Sequence, residues 1–175
     1  HNLGIKVNFS TKGEDFSILS NRSMAMQVFA NLTYNAAEYA DKKAGKADIK
    51  LERTDSGLLF STHNNGPEIS EEDKSKIFSK LFRSDVAKEY KKSGTGLGLF
   101  IVKTICDSLG WSIWFESGSG KGTTFYVKIP LVNRSGKSNA WIKKPPMSPI
   151  DKQRTAFFIS LLCHCFEGFT KSLAK

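Results

Sequence analysis

Asn31 and Asn35 stand four residues apart in Asn31-Leu-Thr-Tyr-Asn-Ala-Ala-Glu-Tyr39, so on a helix their side chains share one side. Asn35 falls on or beside an apolar stripe, between Leu32 and Tyr39. A carboxamide there is costly to bury unless something polar meets it. A hard cation held by the amide oxygen, water and phosphate would satisfy it; so would an ordinary polar partner at the edge of a core. A second signal is Gly94-Thr-Gly-Leu-Gly-Leu99, just before a helical pattern. Glycines let the backbone approach phosphate oxygens, and the first turn of a helix presents free N–H groups with a partial positive charge. The dinucleotide-binding reading of such glycines needs a strand before them and an acidic residue roughly 20 positions on. A charged loop precedes them instead. Taken singly, Asn64-Asn-Gly-Pro-Glu-Ile69 reads as a turn after a strand, and Gly120-Lys-Gly-Thr-Thr-Phe125 as a hairpin turn. Arg83, Lys91 and Lys92 are candidates to meet phosphate, or simply solvated charges. Cys163-His-Cys165 offers too few ligands for a closed metal site.

Elements must hold these residues in place. Residues 4–9 alternate like a strand, and 14–19 can pair with it after the Lys12-Gly13 turn. From Asn21 to Asp41, apolar Met24, Val28, Phe29, Leu32, Ala36 and Tyr39 recur at helical steps, with Ser20 or Asn21 able to cap the start. Residues 47–53 alternate strictly, and Thr54-Asp-Ser-Gly57 turns the chain into a second strand, Leu58 to His63. Residues 70–93 are charged and show little regular period. Leu97, Ile101, Ile105 and Leu109 mark a second helix, widened by Val102 and Cys106 and stopped by Gly110. Residues 111–116 and 123–129 alternate around a glycine-rich turn, a second hairpin with Trp111, Ile113 and Phe115 facing the core. The order predicts an α+β fold, helices covering one face of a mainly antiparallel sheet.

The length, 175 residues, suits one domain with an extension, and 39% hydrophobic with 25% charged residues reads as an ordinary globular chain. No run approaches the roughly 20 apolar residues of a membrane span, and the first residues lack the apolar core of a signal peptide. Cysteines 106, 163 and 165 are too sparse for a disulfide framework, which suggests a reducing cytoplasm. Of the +9 net charge, residues 1–131 carry +3 and residues 132–175 carry +6. With no finger, helix-turn-helix or stacking-aromatic pattern, no nucleic-acid partner is expected. Residues 132–153 read as a Pro/Lys-rich linker and 154–175 as a further helix carrying Phe157, Phe158, Leu161, Leu162 and Phe166.

In their order, the four segments resemble the catalytic and ATP-binding domain of a sensor histidine kinase, of the GHKL ATPase/kinase superfamily, over residues 3–131. The resemblance implies the Bergerat fold, a two-layer α/β sandwich, with residues of about 70–93 as a mobile lid over ATP. It implies that Asn35 binds Mg2+, assisted by Asn31, and that Tyr39 lies in the same site. Asn64, Gly66 and Thr123 would define the adenine pocket, with Ile69 also among the binding residues. The backbone at Gly96, Leu97, Gly98 and Leu99 would cradle the phosphates, with Gly94 and Thr95 in the same binding site. Residues 77–83 resemble the family's phenylalanine box, which places Phe82, Arg83 and Lys91 in the lid.

Three departures bear on that reading. Asn64 replaces the family's aspartate, Glu68 its second glycine, and Glu38 a frequent lysine or arginine. An uncharged amide oxygen accepts a weaker bond from adenine than a carboxylate does. Hydrolytic relatives put a glutamate where Asn31 stands, and an asparagine cannot serve as general base. The resemblance therefore implies phosphotransfer to a side chain rather than hydrolysis. None of His1, His63 and His164 lies in a phosphoacceptor context, so the acceptor histidine belongs to a helical domain upstream or on another chain. The implied partners are that domain and a response regulator, in a kinase that dimerises through helices not in this chain; its parent is a candidate for membrane association. Two rival readings are a degenerate nucleotide module acting by partner docking, and a water-using GHKL ATPase.

Overall fold

Alternation along residues 47–53 puts Ala47, Ile49 and Leu51 on the buried side of β2 (Lys46–Thr54). The turn at 54–57 returns the chain as β3 (Gly57–Asn64), antiparallel to β2, as the sequence predicts. The computed structural model describes residues 5–131, apart from positions 17 and 19. Around the hairpin lie β1 (Lys6–Lys12), α1 (Arg22–Glu38), two short helices α2 (Glu71–Lys74) and α3 (Asp85–Tyr90), then α4 (Gly98–Leu109), β4 (Ser112–Gly118) and β5 (Gly122–Pro130). The strands form one sheet in the order β1-β2-β3-β5-β4, antiparallel except for the β1–β2 pair. Helix α1 packs on α4 and over β2 and β3, while α4 reaches β4. This is the expected two-layer α+β arrangement. The linker and terminal helix expected over 132–175 lie outside the described residues, as do His1, His164 and the Cys163-His-Cys165 cluster. Among the described residues no helix is long and apolar enough to cross a membrane.

The core forms where the helical stripe meets the sheet. Ala25, Val28, Phe29, Leu32 and Ala36 of α1 are buried, and the Phe29 ring meets Phe60 of β3 edge-on at 4.5 Å between centroids. Burying a side chain such as Phe29 contributes about 1.5–3 kcal/mol. From α4 come Val102, Ile105, Cys106 and Leu109, and Gly110 caps that helix in the left-handed conformation at φ 68°. Burial, with the Asp107 carboxylate nearby, pushes the Cys106 thiol up to about 12. Trp111 is buried, Ile113 and Phe115 pack against the core, and Trp114 turns outward to stack on Tyr126.

Four local expectations are corrected. The described residues of 14–19, namely 14–16 and 18, do not pair with β1, whose neighbour is the parallel β2. Phe16 and Ile18 are drawn into the core instead, and Asp15, at φ 52°, holds its carbonyl out to Arg53 Nη1 at 2.8 Å. A parallel partner follows because α1 carries the chain back across the sheet. Helix α1 ends at Glu38 rather than Asp41, with Asn21 as N-cap accepting from the Met24 N–H at 3.1 Å. Met24, placed on the apolar stripe by spacing, is 36% exposed at the helix start. The stretch 70–93 holds two short helices, each opened by a serine cap: Ser70 accepts from Asp73 N–H, and Ser84 from Ala87 N–H. Their shortness hid any period.

Candidate functional site

Between α1, the end of β3, the 70–97 segment and the start of α4 lies a cavity of about 630 Å3. All of the expected binding residues line it except Gly66: Asn31, Asn35, Tyr39, Asn64, Ile69, Phe82, Arg83, Lys91, the run Gly94 to Leu99, and Thr123. Sequence reasoning missed Tyr34, Pro67, Ile77, Ser84, Val86, Ala87, Ile101 and Phe125, which also border it. Most are apolar residues that spacing assigned to a core or left in a loop, and only the folded chain shows that they face a void.

The end built on the sheet is fixed by the pairing of β3 with β5. Asn64 and Thr123 are directly opposed in the β3–β5 ladder, and they are 3% and 4% exposed. Asn64 Oδ1 accepts from the Gly66 N–H at 3.0 Å. Thr123 Oγ1 lies 2.7 Å from Ser117 Oγ, which accepts from the Ile69 N–H at 2.8 Å. Gly66 works from behind the wall: a Cβ there would sit 1.6 Å from the Tyr39 carbonyl oxygen. Gly122 has φ +72°, and its Cβ would fall 1.9 Å from the Asn64 carbonyl oxygen. Only a residue with no side chain lets β5 approach β3 this closely. Asn65, unremarked in the sequence, ties the α1–β2 connection: its Oδ1 accepts from Asp41 N–H and Lys46 N–H, and its Nδ2 donates to Ala44 O. Asp41 accepts from the Ala44 and Lys43 N–H groups, which hold its carboxyl below the usual range.

Across the cavity, Asn31 Nδ2 donates to Gln27 O at 2.8 Å, which leaves its Oδ1 on the side of Gly98. Asn35 is half-buried rather than buried, and among the described residues no protein group hydrogen-bonds its carboxamide. No group of three His, Cys, Asp or Glu side chains among the described residues could hold a metal. Two amide oxygens with no carboxylate cage fit a hard cation that completes its shell with water and ligand phosphate. Leu97, the N-cap of α4, makes no side-chain capping bond, so the helix's first N–H groups stay available to an anion.

In the third wall, residues 70–97, Ile77 is buried and Phe78 packs on Phe115 and Phe125, while the part from Arg83 onward is held by polar contacts. Arg83 Nη1 donates to Gly94 O at 3.0 Å, and Nη2 donates to Ala87 O at 2.8 Å and to Lys91 O. The guanidinium thereby knots α3 and the following loop into one unit. Lys91 Nζ pairs with Glu38 of α1, the Tyr39 and Tyr90 rings lie 6.3 Å apart, and Lys42 Nζ sits 4.5 Å above the Tyr90 ring. Arg83 and Lys91, expected to meet phosphate, line the cavity; both terminal nitrogens of Arg83 are engaged by carbonyls while its buried Nε has no partner among the described residues, and Lys91 Nζ is paired with Glu38. Lys92 does not line it.

Residues 20–133 match the family described as histidine kinase-, DNA gyrase B- and HSP90-like ATPases. The sensor protein CiaH of Streptococcus pneumoniae is 36% identical over 121 residues, covering 69% of this chain and 27% of that protein. The chain thus spans about a quarter of the length of that relative. Among solved structures, the catalytic domain of histidine kinase ThkA superposes with a TM-score of 0.62 at 36% identity, over 74% of this chain and 82% of that one. ThkA in complex with the response regulator TrrA gives 0.59 at 31% identity, over 75% and 35%. The chain belongs to the histidine kinase-, DNA gyrase B- and HSP90-like ATPase family, as a catalytic domain of the sensor histidine kinase type.

Proposed function

We propose that this domain binds Mg-ATP and passes the γ-phosphate to a histidine on a separate phosphoacceptor helical domain. One observation carries the reading: the unpartnered Asn35 carboxamide and the uncapped first turn of α4 border the same cavity. One offers oxygen to a cation, the other N–H groups to phosphate. The amide oxygens of Asn35 and Asn31 would hold Mg2+, which when bound neutralises phosphate charge. The backbone from Gly96 to Leu99 holds the phosphate chain, and the Asn64–Thr123 end seats the base. Transfer then rests on positioning and charge neutralisation. Asn31 is an amide with its nitrogen tied to Gln27 O, so it offers no base to activate water. His63 lies on the opposite side of β3 from Asn64, with Nδ1 3.0 Å from Thr124 Oγ1, unsuited to receive phosphate from the cavity.

The partners follow from the relatives. ThkA assembles with a response regulator, and a response regulator is the downstream acceptor we assign here. The phosphoacceptor domain, dimerisation through its helices, and a cytoplasmic setting for this domain belong to the same proposal. The opposing reading, a degenerate module that docks partners without catalysis, draws on Asn64, Glu68 at the cavity mouth and the Lys91–Glu38 pair.

Titration with a non-hydrolysable ATP analogue, with and without Mg2+, tests the site. Asn35→Ala is expected to abolish the magnesium-dependent part of the affinity while the fold stays intact. With a separately made phosphoacceptor domain and labelled ATP, acid-labile label on histidine is expected. Binding without any label at millimolar ATP favours the docking module, and rapid phosphate release without a protein partner favours an ATPase.

A further inference from the structure

The base end of the cavity fixes which hydrogen-bonding group Asn64 can show a ligand. Its Oδ1 accepts from the Gly66 N–H at 3.0 Å. The amide cannot turn round, because Nδ2 would then oppose the same N–H, donor against donor, in a side chain only 3% exposed. Gly66 cannot withdraw either, since it is packed against the Tyr39 carbonyl with no room even for a Cβ. Among the described residues Nδ2 has no protein partner, and it is not sealed off from the cavity that Asn64 borders. The carboxamide therefore shows the cavity a donor. A carboxylate in the same place would bond Gly66 with one oxygen and show an acceptor with the other.

The edge of a purine distinguishes these cases. Adenine carries an amino group at C6, a donor, whereas guanine and hypoxanthine carry a carbonyl there, an acceptor. A donor facing the adenine amino group leaves both groups unpaired, and buried unpaired polar groups are what sites reject most strongly. Thr123, the cross-strand partner of Asn64, does not impose the opposite choice. Its hydroxyl lies 2.7 Å from Ser117 Oγ, and either oxygen can donate to the other. Thr123 can thus donate to the unprotonated N1 of adenine or accept from the N1–H of a 6-oxo purine.

We propose that Asn64, with its oxygen held by the Gly66 N–H, makes this pocket take 6-oxo purine nucleoside triphosphates at least as tightly as ATP. The proposal rests on the nucleotide-binding reading above and narrows it to the base. Whichever purine is bound, the cation and phosphate contacts are the same, so phosphotransfer chemistry is unaffected by the choice.

Equilibrium titration of the full 175-residue chain with ATP and with ITP, both with Mg2+, tests it. ITP differs from ATP in the carbonyl at C6 and the proton it places on N1. The expected result is a Kd for ITP equal to or below that for ATP. Asn64→Asp keeps the shape and the Gly66 bond, and is expected to move the ratio of the two constants about tenfold towards ATP. Tighter binding of ATP than ITP by the unmodified chain would overturn the proposal, and so would a ratio that Asn64→Asp leaves unchanged. The first comparison needs no variant, so the proposal stays testable if the aspartate chain folds poorly. Failure of the folded chain to bind either nucleotide would instead overturn the nucleotide site itself, an outcome distinct from the reverse preference.

Discussion

Asn64 and Thr123 face each other across a ladder of paired strands, while Arg83 and Lys91 flank a six-residue helix with no buried residue. At the sheet end, the cavity wall is continuous with the core: Thr123 precedes buried Phe125 and Val127, and Asn64 follows buried Phe60 and Thr62. Moving it means breaking β3–β5 pairing. On the opposite wall Ile77 is anchored in the core, but around α3, which has no buried residue, Arg83 and the Lys91–Glu38 pair do the holding. Such contacts are worth little each and can be exchanged for the charges of a ligand. A wall continuous with the core and a wall held mainly by polar contacts thus meet in one cavity.

The largest effect should come from the rigid end. Gly122→Ala forces a Cβ into the Asn64 carbonyl at a left-handed position, and should cost about 3 kcal/mol of stability. A lowered urea midpoint, with lost nucleotide binding even where the chain is folded, checks it. An unchanged midpoint would mean that β5 can shift freely and that the contrast between the ends is wrong.

Next comes the lid hub. Arg83→Ala should lower global stability by only about 1 kcal/mol while making residues 84–94 the first site of limited proteolysis. Arg83→Lys should not rescue it, because one ammonium cannot serve carbonyls spread along the loop as the planar fork does. Equal protease resistance in wild type and both variants would remove Arg83 from that role.

A smaller effect is expected where α1 meets the lid. Glu38→Ala removes the partner of Lys91 and should change stability by no more than about 0.5 kcal/mol. It should nevertheless tighten triphosphate binding severalfold at low salt, since Lys91 is released towards the phosphates. Weaker binding would show that closure of the lid by this pair favours the ligand.

The smallest is a titration. The Lys88 ammonium beside Asp85, at 2.7 Å, holds that carboxyl below its ordinary value of 3.8. A lowered pKa in the folded chain stabilises above the unfolded value, and this is lost as pH falls through the folded one. An NMR titration should find Asp85 below 3.8 and Lys88→Ala should raise it, with no change at the sheet end.

Much of the fold was legible because its determinants are local. Alternation exposed both hairpins, and the spacing of Val28, Phe29, Leu32 and Ala36 exposed the face of α1. The site was legible through glycines and asparagines at the ends of those elements, residues with few ordinary uses in such places. Other features were not. The pairing of β1 with β2 depends on a crossover that no local pattern encodes, and 14–19 alternates well enough to pass for a strand. Helices α2 and α3 are too short for a period, although the serine caps at 70 and 84 were there to be noticed.

The roles of individual polar groups divide along the same line. Sequence alone determined that Asn64 is an amide and Glu38 an acid; that other residue types are usual at those places is what the family resemblance implies. Only the tertiary structure decided that the Asn64 oxygen is engaged by Gly66, that Glu38 meets Lys91, and that the terminal nitrogens of Arg83 donate to the Gly94 and Ala87 carbonyls. Residue type lists the donors and acceptors a chain possesses. Which of them remain free for a ligand depends on what the returning backbone brings within about 3 Å of each.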